Sequence, residues 1–124
     1  MRVPDFLVRQ FYVDGSLQPE GEGFRIQARN GMGDGTLVGI KGISVDGTAI
    51  ELADITATLN DDDTVHRAAD ISRTAPVAFT RGDVVTFHFA GPKLEAGKHA
   101  FEVEVYEVNM GLVTLTLSDK ITAG

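Results

Sequence analysis

A period-two alternation of apolar and polar residues, interrupted repeatedly by glycine, is the feature that most constrains the fold of this chain. Residues 24–29, 83–90 and 99–106 each place apolar side chains at alternate positions, which predicts strands with one buried face. The 14 glycines and 4 prolines punctuate the chain between apolar runs. About eight strands follow from this pattern, with turn signals roughly every 10 residues. The sequence therefore predicts an all-β fold, an antiparallel two-sheet β-sandwich of jelly-roll or immunoglobulin-like type.

Four segments carry more specific predictions. Residues 6–13 are rich in aromatic and β-branched side chains and predict a first strand. Asp-Gly at positions 46 and 47 separates two β-rich runs, so a tight hairpin turn is predicted over residues 45–48. Residues 64–75 break the alternation and predict a short helical turn or an irregular crossover. Residues 118–124 are predicted to be frayed.

Length and charge limit the classes of protein to which the chain can belong. Its 124 residues predict a single domain over residues 1–124. It contains no cysteine, which excludes disulfides, thiolate metal sites and cysteine nucleophiles. Its net charge of -7 disfavours binding to nucleic acid and to anionic membranes. With no long apolar segment and no signal peptide in the sequence, a cytoplasmic location is the expectation.

Candidate metal and phosphate sites are weak in this sequence. Residues 61–63 are three aspartates with His66 nearby, but the alternating acids of a calcium loop are missing, so a solvated turn is favoured. Residues 30–35, Asn-Gly-Met-Gly-Asp-Gly, precede a predicted strand rather than a helix, which disfavours a phosphate cradle. That loop is better suited to touching a partner or a neighbouring active site. His88 and His99 flank a predicted turn, but two histidines do not complete a metal site.

We therefore expect no catalytic, cofactor-binding or metal-binding residue in this chain, since the serine-hydrolase and zinc-protease motifs are also missing. Several segments, namely residues 6–8, 11–13 and 37–43, look apolar on both faces, and one small sandwich has a single interior to bury them. This pattern favours a subunit interface over a first strand that is central in its sheet. The candidate interface residues are Phe6, Phe11, Tyr12, Met32, Asp34 and His88.

The order of several stretches resembles the small, beta subunit of bacterial C-glycoside deglycosidases. The first stretch is residues 11–17, Phe-Tyr-Val-Asp-Gly-Ser-Leu, followed by residues 23–29, Gly-Phe-Arg-Ile-Gln-Ala-Arg. The second is residues 37–50, Leu-Val-Gly-Ile-Lys-Gly-Ile-Ser-Val-Asp-Gly-Thr-Ala-Ile. The third comprises residues 79–83 and 91–105. Together these stretches cover most of the chain, although each is ordinary hairpin sequence.

The resemblance implies a non-catalytic accessory subunit of a carbon–carbon lyase that acts on 3-oxo-C-glycosides of flavonoids. It implies a hetero-oligomer, in which a TIM-barrel alpha subunit carries the acid–base residues and a divalent metal, expected to be manganese. The beta subunit would dock on that barrel and support its active site. No catalytic residue of the family maps to a motif in this chain.

Two other functions remain open from the residues alone. The first is a stand-alone carbohydrate-binding β-sandwich, which the absence of tryptophan and the low aromatic content of 7% disfavour. The second is a small cupin-like enzyme that uses His66, His88 or His99 as metal ligands.

Overall fold

The computed structural model describes residues 1–60 and 62–122. Its ten strands, in chain order, are β1 (Gln18–Glu20), β2 (Gly23–Arg29), β3 (Gly35–Val45), β4 (Thr48–Ala49), β5 (Ile55–Leu59), β6 (His66–Arg67), β7 (Val77–Phe79), β8 (Val84–Phe89), β9 (Gly97–Glu107) and β10 (Gly111–Ile121). Three short 3₁₀ helices span Asp5–Gln10, Leu52–Asp54 and Ala68–Asp70. No helix in these described ranges is long and apolar enough to cross a membrane.

The strands form two five-stranded antiparallel sheets. The first sheet has the order β1-β2-β8-β5-β6, and the second has the order β10-β9-β3-β4 with β7 also paired to β3. This arrangement confirms the predicted all-β, two-sheet sandwich. The aromatic core joins the two layers. Phe24 and Phe89 stack with ring centroids 4.4 Å apart, and Phe101 from the second sheet lies 5.8 Å from Phe24.

The hairpin predicted at residues 45–48 is confirmed. Val45 pairs with Thr48, and the two residues between them, Asp46 and Gly47, have φ values of 51° and 85°. Positive φ at both central positions defines the turn type whose twist matches that of the flanking strands. The irregular crossover expected over residues 64–75 is also present, as the short β6 and the adjoining 3₁₀ turn.

The first predicted strand, residues 6–13, is wrong, because Asp5–Gln10 forms a 3₁₀ helix. The Leu7 N–H bonds the Pro4 carbonyl and the Phe11 N–H bonds the Val8 carbonyl, both in the local pattern of such a helix. Leu7, Val8 and Phe11 pack against the core. Their apolar run therefore covers the edge of the sandwich rather than forming a two-faced strand.

Two irregularities in the pairing of β3 explain why its sequence looks apolar on both faces. Its register against β9 shifts twice, between Leu37 and Gly39 and again between Ile40 and Gly42. Each irregularity changes which face the next side chain occupies. As a result Leu37, Ile40 and Ile43, three residues apart, are all buried in one core. The core of the sandwich therefore accounts for Leu37, Ile40 and Ile43, whereas Val38 is half-buried.

The predicted fraying of residues 118–124 is wrong for the described part of that segment. Strand β10 continues to Ile121, which pairs with Gly97 and is buried. At the other end of β10, the N-terminal residues lie along its outer edge. The Thr114 N–H donates to the Met1 carbonyl and the Val3 N–H donates to the Thr114 carbonyl, both at 2.8 Å. This pairing places Met1 beside the β9–β10 hairpin.

Candidate functional site

An apolar cleft of about 420 Å³ lies at one end of the sandwich. It opens between the 30–35 loop, the start of β3 and the β9–β10 hairpin. All three methionines of the chain line it, and Met1, Met32 and Met110 are 59%, 55% and 55% exposed. The deeper wall is formed by Phe11, Leu37, Phe79, Val105 and Val113. We refer to this feature as the methionine cleft.

Buried Asn30 shapes the wall that carries Met32. Its side-chain N–H₂ donates to the carbonyls of Gly33 (2.6 Å) and Phe79 (2.7 Å), and its Oδ1 accepts the N–H groups of Met32 (3.1 Å) and Gly33 (3.2 Å). Gly31 passes the end of the first 3₁₀ helix so closely that a Cβ atom there would lie 2.5 Å from a backbone oxygen. The loop is therefore held by Asn30 and by its close approach to the first 3₁₀ helix, and Met32 is exposed on it.

Buried Glu107 shapes the opposite wall, which carries Met110. Its Oε1 accepts the N–H groups of Asn109 (2.8 Å) and Met110 (2.9 Å), and its Oε2 accepts the Thr36 N–H (2.9 Å). Burial opposes ionisation of this carboxyl group, but the backbone N–H donors outweigh burial and lower the pKa of Glu107. The carboxylate thus ties the β9–β10 hairpin to the start of β3.

The two walls are built alike, since Met32 and Met110 each have their backbone N–H held by a buried polar side chain. The hydrogen-bonding atoms of Asn30 and Glu107 are committed to the backbone, so these groups position the walls rather than face a ligand. What the cleft offers a ligand is mainly thioether and hydrocarbon surface. Such a surface suits binding of an apolar group, because methionine side chains adapt their shape to what they contact.

Three of the six predicted interface residues line the methionine cleft, and the other three lie elsewhere. Phe11, Met32 and Asp34 all line the methionine cleft. The Asp34 carboxylate also accepts the Arg81 N–H at 3.0 Å. Phe6 is 81% exposed on the first 3₁₀ helix, outside the cleft lining. An interface role for any of these residues stays a prediction.

Tyr12, a predicted interface residue, is buried and hydrogen-bonded within the fold. The residue is 5% exposed, and its hydroxyl donates to Asp119 Oδ2 at 2.6 Å. The same oxygen accepts the N–H groups of Gly15 (3.0 Å) and Leu17 (3.3 Å). Burial, reinforced by the hydrogen bond to Asp119, raises the pKa of Tyr12 well above its usual range. The residue therefore offers little surface to a partner and instead fastens the segment before β1 to β10.

His88 and His99 flank a turn that the sequence predicts to join two neighbouring strands of one hairpin, which would allow the two side chains to approach each other. The structure shows otherwise, because β8 and β9 belong to different sheets. His88 Nδ1 lies 2.8 Å from Glu20 Oε1, and its Nε2 lies 3.0 Å from Thr58 Oγ1. It borders a shallow polar depression with Glu20, Glu22 and Asp54. His99 contacts Asp46 and the Glu95 carbonyl instead.

Within residues 1–60 and 62–122, no three histidine, aspartate or glutamate side chains are grouped so that they could hold a metal ion. Asp61, the first residue of the acidic run, lies outside the described residues. The neighbouring Asp62 accepts the Thr64 N–H at 3.0 Å, and this backbone hydrogen bond lowers its pKa. That arrangement is a local turn.

The sequence did not indicate Glu107, Asn109 and Met110 as residues of a site, whereas Asn30 belongs to the 30–35 loop that was predicted to touch a partner. A signal for Glu107 was present, because the alternation of β9 places it on the same face as Phe101, Val103 and Val105. A carboxylate at an inward position of a strand needs partners. Met110 gives no such signal, since it lies in the turn between two strands.

Comparison with protein families gives a match over nearly the whole sequence. The model of the hydroxymethylglutaryl-CoA reductase N-terminal domain matches residues 7–122. The chain belongs to this family. The matched region includes both sheets of the sandwich and every lining residue of the methionine cleft except Met1. The comparison with curated proteins finds no match.

Membership of the reductase N-terminal domain family overturns the resemblance to a C-glycoside deglycosidase beta subunit. The accessory role in carbon–carbon lyase chemistry on flavonoid glycosides was inferred from that resemblance and is wrong with it. The reason lies in the stretches that were compared. Alternating residues and an Asp-Gly turn, such as that at Asp46, encode antiparallel hairpins in general. These stretches indicate a β-sandwich fold but carry no information about the chemistry of a partner.

Proposed function

We propose that this chain is a non-catalytic binding domain that docks, through its methionine cleft, on the catalytic part of a hydroxymethylglutaryl-CoA reductase. The observation that carries the proposal is the gathering of all three methionines of the chain, each more than half exposed, on one cleft. Exposed apolar surface that is concentrated rather than scattered is typical of an interaction site. Methionine and aromatic side chains are also enriched at protein interfaces.

The family to which the chain belongs is named for the N-terminal domain of a reductase, and this name supports the choice of partner. A domain so named has the rest of such an enzyme as its natural neighbour. The net charge of -7 supports a partner face with a basic rim around an apolar centre, because complementary charge speeds encounter and fixes orientation. The cytoplasmic location stays a prediction, and so do the TIM-barrel partner and its divalent metal, which were expected from the earlier resemblance and form no part of this proposal.

Charged substitutions inside the cleft test this proposal. We expect Met32→Lys and Met110→Lys each to weaken binding to a purified reductase catalytic part by about 30-fold or more, since each would bury an unpaired ammonium group at the interface centre. Both side chains are more than half exposed in the free chain. The folded state should therefore tolerate the substitutions. Isothermal titration calorimetry measures the affinity, and thermal unfolding checks the fold.

Val65→Lys is the matched control, because Val65 is an exposed apolar residue that does not line the cleft. It should bind like the wild type. Equal weakening by all three substitutions would mean that added positive charge, rather than the cleft, controls binding. Undiminished binding by both cleft variants would overturn the proposal.

A further inference from the structure

The sulfur chemistry of this chain is confined to one place. The sequence has no cysteine and three methionines, so the methionine thioethers are its only sulfur atoms. All three line the methionine cleft and are more than half exposed. Oxidation of methionine by peroxide follows the access of the oxidant to the sulfur atom. The cleft is therefore the site at which a peroxide would modify this chain.

We propose that Met32 and Met110 are peroxide-oxidised modification sites whose oxidation weakens docking at the cleft. In this reaction the thioether sulfur attacks one oxygen of hydrogen peroxide. A sulfur–oxygen bond forms, the oxygen–oxygen bond breaks, and the second oxygen leaves as water after taking up a proton. Sulfur loses two electrons and the peroxide gains them, so each sulfoxide consumes one peroxide and releases one water molecule.

Oxidation of these two sulfur atoms should weaken binding because they lie in an apolar part of the cleft. A sulfoxide is polar, whereas the cleft surface around Met32 and Met110 is built from Phe11, Leu37 and Phe79. A bound apolar group would have to cover the new oxygen without a hydrogen-bond donor to satisfy it. The fold should survive, because the backbone contacts of Asn30 and Glu107 that hold the two walls do not involve sulfur.

This inference rests on the proposed docking function, and its test separates the two. The chain alone is treated with hydrogen peroxide, the peroxide is removed with catalase, and mass spectrometry measures sulfoxide at each methionine. Binding to the untreated reductase catalytic part is then measured. We expect both methionines to oxidise at rates near that of free methionine and the affinity to fall about tenfold. Methionine sulfoxide reductases should restore it.

The double variant Met32→Leu/Met110→Leu is the control, since leucine is apolar, similar in volume and inert to peroxide. It should bind, and its binding should be insensitive to peroxide even though Met1 is still oxidised. Failure of the untreated wild type to bind would remove the docking function and this inference with it. Binding that is unchanged after both residues are oxidised would overturn this inference alone. So would an equal loss of binding in the double variant.

Discussion

Gly23, at the start of β2, shows how a single residue determines the packing of the first sheet. A Cβ atom built there would lie 1.7 Å from the Phe89 carbonyl oxygen, and backbone atoms cannot yield as a flexible side chain can. The next residue, Phe24, is fully buried and stacks on Phe89. The absence of a side chain at position 23 thus allows the aromatic pair of the core to form.

We expect Gly23→Ala to destabilise the fold by about 1–3 kcal/mol, because β2 and β8 must separate to admit the methyl group. Gly42→Ala is the matched control, since Gly42 also lies in a strand but has no atom within 4 Å of an added Cβ. Its stability should stay within about 1 kcal/mol of the wild type. Urea unfolding gives both free energies. Equal effects of the two substitutions would show that strand propensity, not close approach, is responsible.

At the scale of the element, the β3–β4 hairpin is joined to the start of β9 by His99. This side chain is only 12% exposed, with Nδ1 2.7 Å from Asp46 Oδ2 and Nε2 2.8 Å from the Glu95 carbonyl oxygen. Both partners are acceptors, so both ring nitrogens must carry a proton to satisfy them. The hydrogen bond to Asp46, followed by that to the Glu95 carbonyl, raises the pKa of His99 above its usual range.

This geometry predicts a pH-dependent stability. Because the pKa is raised in the folded state, the stabilisation by His99 is complete below its unfolded value of about 6.5 and is lost as pH rises through the folded value. We expect the free energy of unfolding to fall over that window in the wild type. Asp46→Asn keeps a residue suited to the positive φ at this position but removes the charge. It should therefore reduce this pH-dependent step in the free energy of unfolding. His99→Gln should abolish it.

An NMR titration of the His99 ring measures its pKa in the folded state, and urea unfolding at each pH measures the free energy of unfolding. A ring that titrates at or below about 6.5 would contradict the assignment of the step to this histidine. So would a pH step of the same size in the His99→Gln variant.

The elements that sequence reasoning found are those whose own residues encode them. Strands β2, β8 and β9 alternate cleanly, and the Asp46–Gly47 turn has the residues that its dihedral angles require. The elements that were missed, β1, β6 and β7, are two or three residues long and depend on a neighbouring strand. Asp5–Gln10 was mistaken for a strand because its β-prone side chains are outweighed by tertiary packing and local backbone bonding.

At the scale of the whole molecule, the methionine cleft is a product of topology. The second sheet brings β3 beside β9, so the loop before β3 and the hairpin after β9 meet at the same end of the sandwich. Met32 and Met110 are therefore close in space but far apart in sequence, and no local pattern links them. Phe11, Met32 and Asp34 could be proposed from the sequence, whereas the cleft that joins them could not.

The measurement that tests the docking function most directly is an NMR spectrum of the chain labelled with ¹³C at the methionine methyl groups. Three methionines give three methyl signals, and all three residues line the cleft. On addition of the unlabelled reductase catalytic part, we expect the Met32 and Met110 signals to shift or broaden in proportion to the bound fraction. Binding detected by calorimetry that leaves both signals unchanged would place the interface elsewhere and contradict the account.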